Sequence, residues 1–107
     1  MKLREITAVM EEFAPLSYQE SYDNSGLLIG DYDMEVKGIL LCIDVTDAVI
    51  DEAISLGVNL IISYHPLIFS GLKRVIGDNL VERCVIKAIK SNIAVYSAHT
   101  NMDNVFE

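Results

Sequence analysis

The sequence predicts an α/β domain: a mostly parallel sheet with βαβ units and flanking helices. Three observations predict it. Short apolar runs rich in β-branched residues recur at 39–43, 60–62 and 93–96, too short for helices and suited to buried strands. Stripes at helical spacing separate them. Gly57, Pro66 and Asn92 punctuate the boundaries.

The elements follow in order. Leu3, Ile6, Met10 and Phe13 recur at helical spacing, so residues 3–13 should form an amphipathic helix that ends before Pro15. Residues 15–26 form a polar connection in which Asp23-Asn24-Ser25-Gly26 has the composition of a turn. Residues 27–29 form a first short strand, closed by Gly30 and Asp31. Residues 39–43 form the next, with Asp44 at its end. Thr46 can cap a helix whose first turn holds Asp47 and whose buried stripe is Val49, Ile50, Ala53 and Ile54, with Gly57 just beyond its last turn. The strand at 60–62 then delivers Ser63, Tyr64, His65 and Pro66 at its carboxyl end. An irregular loop spans 67–78. Leu80, Val81, Cys84, Val85, Ala88 and Ile89 mark a second helix, with Lys87 and Lys90 near its carboxyl end and Asn92 suited to a left-handed stop. A strand at 93–97 delivers His99, Asn101 and Asp103.

With 107 residues this is one domain, and 51% hydrophobic against 22% charged residues marks it as globular rather than disordered. Sixteen acidic residues against eight basic ones, a formal charge of −8, argue against sequence-independent nucleic-acid binding, which needs cations to replace phosphate counterions. No window approaches the roughly 18 apolar residues of a membrane span. Lys2, Arg4 and Glu5 break up any secretory signal. Cys42 and Cys84 lack metal-ribbon or CxxC spacing and read as core thiols of a reduced, cytoplasmic protein.

Ligands of open parallel sheets sit outside the carboxyl ends of the strands. Three such ends carry chemistry here: Asp44, Tyr64 with His65, and His99 with Asp103. Imidazole and carboxylate together hold Zn²⁺, Mn²⁺ or Fe²⁺ and can activate water there. Blander roles stand beside these. His65 could be a hydrogen-bonded structural residue, and Asp103 could cap a turn with Asn101 and Asn104. His99 suits hydrogen bonding to a ligand, or general acid/base chemistry, better than ligation itself. Ser63 and Ser97 lie near histidines without a G-x-S-x-G elbow, which argues against a serine hydrolase. Neither nucleotide-binding glycine motif is present. Ser70-Gly71-Leu72-Lys73 could meet a phosphate, but the signal is weak and a plain surface loop explains it better.

Four segments, Tyr22-Asp23-Asn24-Ser25-Gly26-Leu27, Asp44-Val45-Thr46, Ile61 to Phe69 and Ala98-His99-Thr100-Asn101-Met102-Asp103, stand in the order and spacing of one family. The chain resembles the Nif-three-like dinuclear metal-centre family, also labelled type-two GTP cyclohydrolase I-like, over its whole length. The resemblance implies the amino-terminal portion of a hexameric, cytoplasmic α/β protein with two divalent metals per subunit (Zn, Mn or Fe) and hydrolase-like chemistry on a small molecule such as a nucleotide. It assigns His65 and Asp103 to one ion. The family pattern has His-His-Pro where this chain has Tyr64-His65-Pro66, so the second ion loses a ligand, a neutral phenol being a poor donor near pH 7. His99 matches a family histidine that lines the site. A family His and bridging Glu near the carboxyl end have no counterpart here, and Glu107 is not expected to replace them. The expectation is therefore an incomplete site that binds metal weakly or not at all. The competing expectation is a non-enzymatic binding or assembly module with a decayed site.

Overall fold

The computed structural model describes residues 1–106, so Glu107 lies outside the described residues. Its four-stranded sheet has the order β1-β4-β3-β2, with β1 at Gly26–Ile29, β2 at Ile39–Cys42, β3 at Leu60–Ser63 and β4 at Ala94–Ser97. β2, β3 and β4 run parallel, and β1 pairs antiparallel with β4. The mostly parallel expectation holds, with one reversed edge.

Helix α1 spans Leu3–Phe13, as its periodicity requires. It packs on one sheet face through Leu3, Ile6 and Met10 against Leu27, Leu60, Ala94 and Tyr96. Phe13, expected in that stripe, is exposed and pairs with Phe106 at 5.7 Å between ring centroids. The opposite face carries α2, Asp47–Leu56, and α3, Leu80–Lys90, over Ile61 and Val95. Thr46 caps α2 by accepting from the Val49 amide at 3.2 Å, and Gly57 ends it at φ 72°. Asn92 takes the left-handed conformation expected of it, φ 56°. Ile54 and Ile89, expected in the buried stripes, are exposed. The two helices touch the sheet through narrower faces than their apolar spacing suggests.

Gly30 shows why a strand ends where it does. Its φ is +143°, and a Cβ there would come within 2.9 Å of the Ala94 side chain and 3.2 Å of Leu3. Only glycine lets α1 close onto β4 at this point. The two cysteines are free, Cys84 buried and Cys42 half-buried, as core thiols should be. No helix among the described residues is long and apolar enough to cross a membrane.

β2 is an edge strand, and α1 does not reach it, so Ile39, Leu41 and Ile43 on that face stay exposed. A short helix α4, Thr100–Val105, follows β4 directly. His99 stands at its N-cap and Asp103 lies inside it. A helix at this position is not legible from periodicity, because six residues are too few to show one.

Candidate functional site

The parallel register builds the site. Cys42, Ser63 and Ser97 lie side by side in β2, β3 and β4. Asp44, His65 and His99 each follow two residues later, so the three leave the sheet at one level. The ladder continues past the strands: the Tyr64 amide donates to the Cys42 carbonyl at 3.1 Å, His65 to Ile43 at 2.9 Å and Ala98 to Ser63 at 3.1 Å. Adjacent strands sit about 4.8 Å apart. The ring centroids lie close together, 4.8 Å apart for Tyr64 and His99 and 5.3 Å for His65 and His99 across neighbouring strand ends, and 5.0 Å for Tyr64 and His65, which are consecutive in the chain.

Each imidazole is tied to a carboxylate through Nδ1. His65 Nδ1 lies 2.7 Å from Asp44 Oδ1, and His99 Nδ1 lies 3.2 Å from Asp23 Oδ1. An ionised carboxylate only accepts, so this pairing selects the tautomer with the proton on Nδ1 and leaves a lone pair on Nε2. That is the arrangement in which a metal-ligating histidine is normally held.

Asp103 is engaged differently. The Tyr64 hydroxyl donates to its carboxylate, with both oxygens at 2.8 Å. This bond, then partial burial, and then the charges of Asp103 and Asp23 push the Tyr64 phenol up from its usual range, so it stays neutral. Asn101 and Asn104 do not cap a turn with Asp103. Asn101 accepts from the His99 amide at 2.9 Å and donates to the Ala14 carbonyl at 2.9 Å, while Asn104 donates to the Tyr18 carbonyl at 2.6 Å. Ser63 donates to the His65 carbonyl at 2.8 Å and Ser97 to the Tyr64 carbonyl at 3.1 Å, so both hydroxyls pin backbone rather than act as nucleophiles.

The structure therefore brings Tyr64, His65, His99 and Asp103 to one rim. Among the described residues, however, no group of three His, Cys, Asp or Glu side chains is placed to hold an ion. A cleft of about 340 Å³ borders the rim at Asp44, Thr46, His65 and Leu67. A larger groove of about 670 Å³ runs elsewhere, beside Leu28, Ile29, Val85 and Ile89, with Asp31 its one ionisable side chain. The Asp44 carboxylate and the His65 imidazole border the smaller cleft and not the larger groove.

Asp23 is the site residue that sequence reasoning missed. The antiparallel pairing of β1 places Gly26 opposite Ser97, so the chain entering β1 arrives beside the end of β4. Asp23 is thereby buried against His99 and Thr100. Strand direction leaves no trace in apolar periodicity, and Asp-Asn-Ser-Gly looks like any turn.

The family model described as Duf34/NIF3 (NGG1p interacting factor 3) matches residues 1–107. A protein of Clostridium acetobutylicum named "GTP cyclohydrolase 1 type 2 homolog" is 43% identical over 105 residues, covering 98% of this chain and 39% of that protein. A Bacillus subtilis protein of the same name is 42% identical over 100 residues, covering 94% of this chain and 27% of that protein. Among solved structures, Staphylococcus aureus protein SA1388 superposes with a TM-score of 0.92 at 43% identity, covering 96% of this chain and 29% of that one. Reduced HcgD from Methanocaldococcus jannaschii gives 0.87 at 34% identity, covering 96% and 41%. The chain thus spans between 27% and 41% of the length of these relatives.

Proposed function

Because the chain belongs to the Duf34/NIF3 family, we propose that its rim is the amino-terminal share of a divalent-metal hydrolytic site. In this reading His65 and Asp103 are ligands, and His99 carries a proton. The observation that supports it most is the 2.7 Å pairing of His65 Nδ1 with Asp44, which leaves Nε2 as the donor atom. An ion of zinc, manganese or iron held there would supply Lewis-acid chemistry, acidifying water and polarising an electrophile. Asp44 orients His65, Asp103 contributes negative charge, and His99, its ring centroid 5.3 Å from that of His65, exchanges a proton. The substrate class is a small molecule with a hydrolysable bond. Relatives named for GTP cyclohydrolase make a nucleotide the first to try.

Two protein donors fall short of the three that a catalytic zinc normally keeps. On this reading the remaining ligands come from residues other than these 107, and this chain alone binds metal weakly or not at all. A second reading, a binding or assembly module whose site has decayed, is favoured by one observation: Tyr64 occupies the Asp103 carboxylate that a metal would need. Calorimetric titration of the chain with Zn²⁺, beside its Asp103→Ala variant, separates the two. Weak binding that Asp103→Ala abolishes supports the metal site, and binding indifferent to the substitution supports the module. Tight stoichiometric metal in the unmodified chain overturns the claim that the site is incomplete.

A further inference from the structure

We infer that Asp23 is the positioning residue for His99, holding the imidazole with its proton on Nδ1 so that Nε2 is the one nitrogen through which His99 exchanges protons at the rim. The inference rests on the hydrolytic reading of the rim and assigns a role to a side chain which that reading leaves unused.

Asp23 is surrounded by donors. Its Oδ1 accepts from the Asn24 amide at 2.8 Å and faces His99 Nδ1 at 3.2 Å. Its Oδ2 accepts from the Ser25 hydroxyl at 3.2 Å, the Thr100 amide at 3.0 Å and the Thr100 hydroxyl. With every other neighbour already donating, Nδ1 completes the set only by donating too. Burial by itself would push the Asp23 carboxyl up, but the bonds from the Thr100 hydroxyl and amide, His99 and Asn24 outweigh it and hold the group well below the usual carboxylate range.

Burial separates this pair from its neighbour. The side chains of His99 and Asp23 are 18% and 0% exposed, against 48% and 63% for His65 and Asp44. Water competes for the outer pair and hardly reaches the inner one, so the tautomer is imposed more strongly on His99. The backbone is fixed as well, since the His99 amide donates to Asn101 Oδ1 at 2.9 Å and to the Ser25 hydroxyl at 3.3 Å. Ser25 thus ties His99 and Asp23 together.

During hydrolysis, Nε2 accepts the proton of the attacking water as its oxygen bonds to the electrophile. Asp23 faces the resulting imidazolium, and the same proton leaves from Nε2 to the departing group. No proton passes to Asp23.

The test is a long-range ¹H–¹⁵N correlation spectrum of the ¹⁵N-labelled chain in chelator, without substrate, at a pH where the imidazoles are neutral. The expected result is His99 protonated on Nδ1 and bare on Nε2. Asp23→Asn should shift the tautomer ratio by about tenfold or more toward Nε2–H, the scale of a lost charge-assisted hydrogen bond. A wild-type spectrum with the proton on Nε2 overturns the inference whether or not the variant folds. An unchanged ratio in a folded Asp23→Asn variant overturns it too. Neither metal nor substrate takes part, so a failure here leaves the metal reading standing, and a failure to bind metal leaves this result standing.

Discussion

The hydroxyl of Tyr64 lies 2.8 Å from both carboxylate oxygens of Asp103, so the phenol at one candidate ligand position holds the carboxylate at another. Replacing Tyr64 changes two things at once: it releases Asp103 and alters the donor beside His65. Tyr64→Phe does only the first, and Tyr64→His adds an imidazole as well. The zinc affinity of the chain, measured by competition with a chelating dye, should rise modestly in Tyr64→Phe. In Tyr64→His it should rise by about tenfold or more, since even outer partners of a ligand are worth 10–100-fold. Equal affinity in all three proteins would place the ligands elsewhere.

Asp44 should matter to metal without mattering to the fold. It is exposed at the end of β2, and its recorded side-chain bond is to His65. In the Tyr64→His background, Asp44→Ala should lower zinc affinity by about tenfold, the weak end of the usual range for an orienting carboxylate, because solvent screens the pair. The thermal midpoint should stay within a degree or two. A large loss of stability with unchanged affinity would make Asp44 structural.

Residues with a local signature were legible in the sequence. The α1 boundaries, the Thr46 cap, the left-handed Asn92 and the apolar run 60–62 at the heart of β3 each follow from periodicity, a capping side chain or a turn residue. That His65, His99 and Asp103 come to one rim was legible, because parallel strands deliver their ends to one edge. Asp23 was not, because its place depends on β1 running against β4. Glu82 was hidden for a related reason. It stands on α3 as an ordinary surface acid would, yet its carboxylate accepts from the Ile76 amide at 3.0 Å and from Asn79 Nδ2 at 2.9 Å, which requires the preceding loop to fold back over it.

That fold-back makes Asn79 a testable cap. Its Oδ1 accepts from the Glu82 amide at 2.9 Å while its Nδ2 donates to the Glu82 carboxylate at 2.9 Å, so the cap and the residue it caps hold one another at the start of α3. Asn79→Ala should destabilise the chain by about 1 kcal/mol, lowering the melting temperature by roughly 4–8 °C for a domain of this size. Asn79→Asp should recover part of the loss by capping but not by donating. Indistinguishable urea midpoints for wild type and Asn79→Ala would remove the cap from the account of α3.

Gly30 should tolerate no side chain. Alanine there meets both the positive φ and the 2.9 Å approach of Ala94, and neither neighbour is the flexible end of a long chain. Backbone strain and overpacking each cost about 1–3 kcal/mol, so Gly30→Ala should unfold well below wild type in a thermal melt. Gly57→Ala tests the separation of the two effects. Nothing lies within 4 Å of a Cβ at Gly57, whose φ is +72°, so only the backbone strain remains and the loss should be smaller. A larger loss at Gly57 than at Gly30 would contradict the packing of α1 on β4.

Acid should loosen the chain from the Asp23 side. Hydrogen bonds, chiefly from Thr100, hold the Asp23 carboxyl well below its ordinary value against the opposing effect of burial, and the Glu82 carboxyl is lowered mainly by the Ile76 amide. A group whose pKa is lower folded than unfolded binds more protons in the unfolded chain, so its contribution is fully present above the ordinary carboxylate range and is lost as pH falls through that range and below. Urea midpoints should therefore hold steady from neutral pH down to about 5 and fall steeply below about 4, where unfolded carboxylates protonate. In Asp23→Asn the midpoint at neutral pH should already be lower, because an amide cannot accept from all of these donors, and the acid decline should be shallower. An acid limb of unchanged slope in that variant would show that Asp23 is not the group whose protonation unlatches β1, His99 and α4 from one another.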